Sequence, residues 1–288
     1  RTSDPDIYAG GDCVESRHLL TGRPVYVPLG TTANKHGRII GDNLCGAQES
    51  FPGVLGTTLL KACDYTVGRS GLTSQAAVGL GHEIEEAVVP ARDRAHYYGG
   101  AHAFALKMTA EREGGRILGV QMVGPGDVAR RLDAAVAAMS FGATIKQMSQ
   151  LDLGYAPPYA SAMDLLIVAA NVLRNKIEGG VPSATPLEVK AALASENPPL
   201  LLDVRSKPEW DKVRLQADGV LHLPYLQLRK TMDRLPRDRE IVTFCWGGLR
   251  AYEAAIMLRE AGFPKVRFLD GSLFTWPFDL DERETDWR

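Results

Sequence analysis

The spacing of apolar and polar positions changes twice along the chain. Residues 1–52 are rich in glycine and loops, with only short apolar patches. Within them, residues 7–9 predict a short buried strand that runs into Gly10, Gly11 and Asp12. The pattern also predicts a helix from Thr31 to Asn43, whose one side carries Ala33, Gly37 and Ile40.

The middle of the chain, residues 53–178, predicts strands followed by helices. Apolar runs at 101–108 and 117–123 flank the turn-forming residues 113–116, which indicates an antiparallel hairpin. Asp127 has the character of an N-cap for a helix whose apolar positions are Val128, Leu132, Val136 and Met139.

A second helix is predicted from about Ala160 to Arg174, and it is apolar on most sides. A helix that is apolar nearly all round is buried, and one burial consistent with this pattern is a subunit interface.

After a linker rich in glycine and proline at 179–186, the pattern alternates. Strands are predicted at 200–204, 241–244 and 266–269, and helices at 186–195 and 250–261. Strands that alternate with helices indicate a parallel α/β sheet. No internal repeat or low-complexity segment is present in the sequence.

Composition narrows the class of protein. The chain has 288 residues, enough for roughly two domains. It carries 33 Lys and Arg against 35 Asp and Glu, a net charge of −2, which argues against nucleic-acid and polybasic membrane binding.

Four cysteines do not make a disulfide scaffold and favour a cytoplasmic setting. The sequence has no apolar run of about 18 residues, so we expect no spanning helix. It begins at Arg1 without a signal peptide, and we expect a fragment of a longer protein.

The most informative stretch is Ile241–Ala251, in which a buried strand ends at Cys245. The six residues from Cys245 to Arg250 then turn into a helix, a geometry that points backbone N–H groups inward to form an anion-binding nest. The helix N-terminus and the Arg250 guanidinium add positive charge, so the site favours thiolate over thiol. The alternative is a buried, inert cysteine at a strand end.

This stretch resembles the active-site loop of the rhodanese family of sulfurtransferases. Three further segments support the resemblance over about residues 184–288, and they are Leu201–Trp210, His222–Pro224 and Asp270–Trp276. In the last of these, Asp270 is taken to stand at the first glycine of the family motif. The usual Gly-His-Ile of the family is replaced by Val213, Arg214 and Leu215.

The resemblance implies that Cys245 carries a persulfide and that Arg250 closes the loop and binds an anionic substrate. The substrate-anion loop would comprise Trp246, Gly247, Gly248 and Leu249. A loop of this length suits sulfur, whereas phosphatases of the same fold use a longer loop. Asp203 and Arg205 are expected to be structural, as an ion pair beneath the loop.

The rest of the chain resembles the pyridine nucleotide–disulfide oxidoreductases, in the branch of the coenzyme A–disulfide reductases and NADH oxidases. The matching segments are Asp6–Asp12, Pro28–Arg38 and Leu151–Tyr159. The whole chain thus resembles the C-terminal portion of a coenzyme A–disulfide or persulfide reductase fused to a rhodanese domain. The implied domains are a remnant of an FAD-binding domain (1–52), an α+β dimerisation domain (53–178), a linker (179–186) and a rhodanese-like α/β domain (187–288).

Cofactors and partners follow from this second resemblance. It implies FAD, NAD(P)H as co-substrate, coenzyme A as a further ligand, and a homodimer. The residues implied to contact the flavin are Gly11, Asp12, Pro28, Leu29, Thr31 and Ala33. Tyr98, Tyr155 and Tyr159 would approach the disulfide site of the partner subunit, and the alternative for them is interface packing.

Parts of the reductase pattern are absent from the sequence. It has no Gly-x-Gly-x-x-Gly after a starting strand and no match to the single active-site cysteine of the reductase half. We therefore expect no hydride transfer by this chain as given. Cys13, Cys45 and Cys63 match no redox motif and are expected to be packing residues, and the histidines show no metal-binding spacing.

Three functions remain open from the sequence. The first is an FAD- and NAD(P)H-dependent reductase of coenzyme A disulfide, coenzyme A persulfide or polysulfide, with sulfane-sulfur transfer through Cys245. The second is a thiosulfate-type sulfurtransferase attached to an oligomerisation domain. The third is a non-enzymatic sulfur-carrier or regulatory module.

Overall fold

The computed structural model describes residues 1–282. The middle of this part is an antiparallel sheet with strand order β3-β4-β7-β6-β5. Its strands are β3 (Thr58–Ala62), β4 (Tyr65–Gly71), β5 (Ile84–Arg92), β6 (Ala103–Glu111) and β7 (Ile117–Gly124). The predicted hairpin is confirmed as β6 and β7, which pair with a register shift at Thr109 and Ala110.

Helices cover one face of this sheet. They are α2 (Ser74–Gly79), α3 (Val128–Ser140), α4 (Ile145–Met148) and α5 (Leu165–Ile177). Asp127 is the N-cap residue of α3 as predicted, but its carboxylate accepts from Arg130 Nε rather than from the helix backbone. Gly68 of β4 lets α3 approach closely, because a Cβ there would lie 3.0 Å from Leu132 Cδ2.

The apolar helix α5 differs from its prediction in extent. It begins five residues later than expected because Asp164 caps it, with its carboxylate accepting from the Leu166 N–H. Leu166 and Leu173 are fully buried in the same core as Phe104 of β6. The helix therefore packs on its own sheet, and a subunit interface at its remaining side stays a prediction.

The C-terminal part is a three-layer α/β unit. Its parallel sheet has strand order β11-β9-β12-β13-β8. The strands are β8 (Ser183–Ala184), β9 (Leu200–Asp203), β10 (Val213–Leu215), β11 (Val220–His222), β12 (Ile241–Phe244), β13 (Val266–Leu269) and β14 (Leu280–Glu282), of which β10 and β14 form a separate antiparallel pair. The helices are α6 (Pro186–Leu193), α7 (Lys207–Lys212), α8 (Tyr225–Thr231) and α9 (Leu249–Glu260).

The predicted parallel sheet is thus confirmed, and its buried strands are apolar because both faces are covered. One core lies under α8 and α9, and the other under α6 and the segment that contains Trp276. The segment 179–186, which we predicted as a linker, contributes β8, because Ser183 and Ala184 pair with the edge of β13.

The N-terminal residues form α1 (Gly30–Leu44), close to the predicted helix, and the short antiparallel strands β1 (Ser16–Arg17) and β2 (Pro24–Val25). The buried side of α1 carries Thr32 and His36, whereas Gly37 is exposed. The strand predicted at residues 7–9 is wrong. The Ile7 backbone bonds locally to Thr2 and Asp4, and the Ile7 side chain is exposed.

The domains meet along β5, the edge strand of the antiparallel sheet. A Cβ on Gly247 would lie 3.6 Å from Pro90 Cγ of β5, so the loop after β12 abuts this edge. Between residues 1 and 282, no helix is both long and apolar enough to cross a membrane.

Candidate functional site

Cys245 lies directly after β12 and is 2% exposed. Its backbone is held by the segment that follows β13. The Cys245 N–H donates to Ser272 Oγ (3.2 Å), and the Leu273 N–H donates to the Cys245 carbonyl (3.3 Å). The Phe274 N–H donates to the carbonyl of Trp246 (3.0 Å). The start of the loop is therefore fixed by a second loop as well as by the sheet.

The loop turns inward at Gly248, as its sequence predicted. Gly248 has φ +105°, a conformation that other residues rarely adopt. In this conformation its N–H donates to Cys245 Sγ (3.1 Å). Helix α9 begins at the next residue, Leu249, whose side chain is exposed. The Gly248 N–H, at the start of α9, therefore points at the sulfur.

Arg250, at the end of the loop, contacts helix α7. Its two terminal nitrogens donate to the two carboxylate oxygens of Glu209 at 2.8 and 2.6 Å. The same carboxylate accepts from the Ser206 N–H and hydroxyl in the capping box of α7. The hydrogen bonds from Arg250, with those from Ser206, lower the pKa of the Glu209 carboxyl to about 2. Arg250, which we predicted to supply a fixed positive charge to the loop, is therefore already paired with the Glu209 carboxylate.

Beneath the loop, Asp203 and Arg205 form the expected ion pair. Both side chains are buried, and Arg205 Nη2 lies 2.6 Å from Asp203 Oδ2. Arg205 also donates to the carbonyl of Val213, and its own carbonyl accepts from His222 Nε2 (2.9 Å). This network ties β9, β10 and β11 together under the loop, which is a structural role.

The motif after β13 differs from its alignment in the sequence. The left-handed backbone conformations fall on Gly271 (φ +69°) and Ser272 (φ +51°). A side chain on Gly271 would collide with Thr275, because a Cβ would lie 2.0 Å from its Oγ1. The residue that adopts a conformation favoured by glycine without being a glycine is therefore Ser272 and not Asp270.

The cysteine loop also borders a cavity of about 680 Å³ between the domains. Trp246, Phe274 and Trp276 line it from the C-terminal domain, and Arg92 and His102 line it from the antiparallel sheet. The cavity combines aromatic surface with basic side chains directly beside the loop.

The two predicted flavin segments are neighbours in the structure. Gly11 packs against the first turn of α1, since a Cβ on it would lie 3.4 Å from the Cβ of Ala33, and its N–H donates to His36 Nδ1. Asp12 and Thr31 are exposed. Pro28 and Leu29 lead directly into α1. A left-handed glycine, an exposed carboxylate and a helix N-terminus on one surface fit one wall of a flavin site.

The segments that carry two of the predicted tyrosines also come together. The Ala95 N–H donates to the Pro157 carbonyl (3.4 Å), which joins the segments that carry Tyr98 and Tyr155. A hydrogen bond to Tyr97 raises the pKa of Tyr155. Tyr98, Tyr155 and Tyr159 are all exposed. The tyrosine that Tyr155 contacts is thus Tyr97, and the role of Tyr98, Tyr155 and Tyr159 at a disulfide site stays a prediction.

The expectation that Cys13, Cys45 and Cys63 are packing residues is wrong, because all three are exposed. They occupy turns: Cys13 donates to the Gly10 carbonyl, Cys45 caps the C-terminus of α1, and Cys63 turns the hairpin between β3 and β4 with φ +51°. In residues 1–282, no three His, Cys, Asp or Glu side chains are placed to hold a metal ion.

Comparison with protein families assigns both parts of the chain. Residues 58–167 match the model of the pyridine nucleotide-disulphide oxidoreductase dimerisation domain, and residues 185–277 match the rhodanese-like domain. The chain joins an oxidoreductase dimerisation domain to a rhodanese-like domain. The antiparallel sheet belongs to the first domain, and Cys245 with its loop belongs to the second.

One curated relative matches part of the chain, and two solved structures match nearly all of it. The NAD(P)H coenzyme A polysulfide/persulfide reductase of Pyrococcus horikoshii is 44% identical over 174 residues, which are 60% of this chain and 39% of the relative. The solved NAD-dependent persulfide reductase of A. fulgidus is 43% identical with a TM-score of 0.86, over 94% of this chain and 48% of that one. The reduced CoADR-RHD protein of Bacillus anthracis is 32% identical over the same shares, also with a TM-score of 0.86. The chain spans about two fifths of the length of the curated relatives it matches.

Sequence reasoning missed the partners of the site residues. Glu209 lies in the rhodanese-like segment Leu201–Trp210, but the sequence suggested no role for it. Ser272 lies in the segment Asp270–Trp276 and was not predicted as a site residue. Lys176 is a lone lysine near the end of an apolar helix, and its side chain bonds to Asp270 across the domain boundary. For Lys176 the available signal was the charge itself, because a lysine on a buried helix face requires a buried partner.

Proposed function

We propose that Cys245 carries sulfane sulfur as a persulfide, and that this rhodanese-like domain exchanges it with small sulfur compounds. The observation that carries the proposal is the contact between the Gly248 N–H and Cys245 Sγ at 3.1 Å, inside a loop that begins a helix. A thiolate is the nucleophile in such exchange, and this geometry stabilises it.

The chemistry balances with thiosulfate as donor and cyanide as acceptor. The Cys245 thiolate attacks the outer sulfur of thiosulfate, a bond forms between Sγ and that sulfur, and sulfite leaves with the electron pair of the broken S–S bond. Cyanide then attacks the outer sulfur of the persulfide anion, and the Cys245 thiolate leaves as thiocyanate forms. Sγ is a thiolate before the first step and after the second, so every donor to Sγ acts on both steps.

The test is sulfur transfer from thiosulfate to cyanide by the purified chain and by its Cys245→Ser variant. Serine keeps the shape of the side chain, but its oxygen forms no persulfide, so transfer should be lost. Cys45→Ser, at an exposed cysteine, is the matched control and should transfer at the wild-type rate. Transfer retained by Cys245→Ser would refute the assignment.

We further propose that the chain forms part of an FAD- and NAD(P)H-dependent reductase of coenzyme A disulfide, coenzyme A persulfide or polysulfide. The names of the relatives support this proposal, and so does the match of the A. fulgidus persulfide reductase structure to 94% of this chain. Bound FAD would supply electron transfer from NAD(P)H to the sulfur substrate. Gly11, Asp12 and the first turn of α1 would hold it, with Asp12 accepting from its hydroxyl groups.

The visible absorbance spectrum of the protein isolated from its own source organism tests the reductase proposal. Flavin bands that NAD(P)H bleaches are expected. A protein without flavin that still transfers sulfur would instead support the thiosulfate-type sulfurtransferase, and one with neither property would support the sulfur-carrier module.

We also propose that the chain forms a homodimer through the open face of its antiparallel sheet. Apolar side chains remain exposed there after α3 and α5 have covered the other face, and they include Leu60, Val67 and Val123. The match to a dimerisation domain over residues 58–167 supports this assignment.

A further inference from the structure

Ser272 has a backbone conformation that serine seldom adopts. Its φ of +51° lies in the left-handed region, in which residues other than glycine are uncommon. The residue is also completely buried. A glycine at this position would avoid the steric cost of the left-handed conformation. A side chain retained at such a cost is expected where it makes a functional contact.

The contact that the serine makes is with the sulfur-carrying residue. Its Oγ accepts from the Cys245 N–H at 3.2 Å and lies 3.9 Å from Cys245 Sγ. The same oxygen lies 3.4 Å from the carbonyl of Leu269. Because the N–H of Cys245 occupies one lone pair, the single hydroxyl proton has two acceptors within reach, the Leu269 carbonyl and Sγ.

The two acceptors respond differently to the charge on sulfur. A neutral thiol is a weak acceptor, and so is the inner sulfur of a persulfide, so the proton then favours the carbonyl. A thiolate is an anion, and hydrogen bonds to charged groups are roughly twice as strong as neutral ones. The hydroxyl therefore gains a stronger bond whenever Sγ becomes a thiolate, without any movement of the backbone.

We propose that Ser272 is a positioning residue for sulfur transfer, which fixes the Cys245 backbone and supplies a second donor to the Sγ thiolate beside the Gly248 N–H. The proposal rests on the proposed sulfur-carrying role of Cys245.

The segment that carries Ser272 is itself anchored at both ends. At one end, the Asp270 N–H donates to the Ala184 carbonyl, and the Asp270 carboxylate accepts from Lys176 Nζ at 2.8 Å. At the other, the N–H groups of Leu273 and Phe274 bond to the cysteine loop. The fold therefore holds this segment, and the serine on it, against the cysteine loop.

Two variants separate the hydroxyl from the backbone strain. Ser272→Gly removes the hydroxyl and relieves the left-handed conformation, whereas Ser272→Ala removes the hydroxyl and keeps the Cβ. Both variants leave the buried Cys245 N–H without its acceptor, so we expect the glycine variant to melt above the alanine variant, which alone keeps a Cβ in the left-handed conformation. If the hydroxyl stabilises the thiolate, both variants should nevertheless lose reactivity of Cys245 to the same extent.

The readout is the rate of iodoacetamide labelling of the Cys245 peptide, followed by mass spectrometry so that Cys13, Cys45 and Cys63 do not interfere. The ratio of the rate near neutral pH to the rate in strong base should fall about threefold to tenfold in both variants, as expected for the difference between a hydrogen bond to the thiolate and the neutral bond to the Leu269 carbonyl that it replaces. The kcat for sulfur transfer should fall with it, while the KM for thiosulfate changes little. Ser195→Ala, at an exposed hydroxyl outside this region, should behave as wild type.

Unchanged labelling ratios in both Ser272 variants would overturn the proposal, as would a decrease in the alanine variant that the glycine variant reverses, since that result would assign the effect to strain. Failure of the proposed sulfur-carrying function is distinguishable. In that case Cys245→Ser would retain sulfur transfer, whereas the labelling ratios report on the thiolate whether or not transfer occurs.

Discussion

Lys176 Nζ lies 2.8 Å from Asp270 Oδ2, and this contact joins helix α5 of the dimerisation domain to the rhodanese-like domain. Both side chains are almost completely buried. Lys176 also donates to the Glu86 carbonyl of β5 at 2.6 Å. Since Asp270 stands two residues before Ser272, the pair connects the position of the dimerisation domain to the segment that braces Cys245.

Lys176→Met should destabilise the protein strongly, because it leaves a carboxylate buried without its cation. Breaking a buried pair from one side typically costs about 3–5 kcal/mol of unfolding free energy. The double variant Lys176→Met/Asp270→Asn should recover much of that loss, as measured by urea unfolding. Equal losses in the single and double variants would show that the lysine stabilises through its other contacts.

The loss in Lys176→Met should also depend on pH. Burial already raises the pKa of the Asp270 carboxyl in the wild type, and removing the lysine raises it further. A carboxyl whose folded pKa is raised favours the folded state when it is protonated, and this stability is lost as the pH rises through the folded pKa. The difference in unfolding free energy between variant and wild type should therefore be smaller in acid than at neutral pH.

Glu209→Gln and Arg250→Ala should change the KM for thiosulfate in opposite directions. Glutamine removes the negative charge that now occupies Arg250, so the guanidinium becomes available to an anionic donor and the KM should fall. Alanine at 250 removes the cation and should raise the KM. Arg250→Lys should lie between wild type and Arg250→Ala, because lysine keeps the charge but not the planar donor fork. A KM that neither Glu209→Gln nor Arg250→Ala alters would exclude Arg250 from anion binding.

The Glu209–Arg250 pair should also contribute to acid sensitivity. The pKa of the Glu209 carboxyl is lowered from its ordinary 4.5 to about 2, chiefly by the hydrogen bonds from Arg250. Because the folded pKa is the lower one, the pair contributes stability above about pH 4.5, and this contribution is lost as the pH falls toward about 2. Thermal melts across this window should show a shallower decline for Glu209→Gln than for wild type. Both side chains are partly exposed, so the effect is small and salt screens it. The melts are therefore run at low salt, where parallel curves for the two proteins would contradict the prediction.

Val67→Glu should disrupt the proposed homodimer. Val67 pairs with Leu60 and with Val123 on the open face of the sheet, and a charge there would be buried in the interface. Light scattering should report a dimer for wild type and a monomer for the variant. Leu226→Glu, at a side chain 87% exposed on α8, is the control and should remain dimeric. A monomeric wild type at micromolar concentration would contradict the proposal.

Much of the fold could be predicted from local patterns. Strand β13 coincides with its prediction at Val266–Leu269, and the hairpin of β6 and β7 follows directly from two apolar runs around a turn. The predictions that depended on distant neighbours were less accurate. Residues 7–9 are apolar enough for a strand, but a strand forms only where a partner supplies its hydrogen bonds, and here the backbone bonds within its own turn. For α5, the pattern predicted burial but not the surface that buries it, and the structure shows its own sheet packed against Leu166 and Leu173.

At the site, the sequence by itself determined that Cys245 follows a buried strand, precedes a helix and has glycines that allow its loop to turn inward. These features are local, since strand burial, glycine conformation and helix initiation depend on adjacent residues. Only the tertiary structure decided that Arg250 is paired with Glu209, 41 residues away, that Ser272 places its hydroxyl 27 residues away on Cys245, and that Lys176 meets Asp270 across 94 residues. Such contacts depend on how sheets and helices bring distant segments together, and the residue types alone do not encode that proximity.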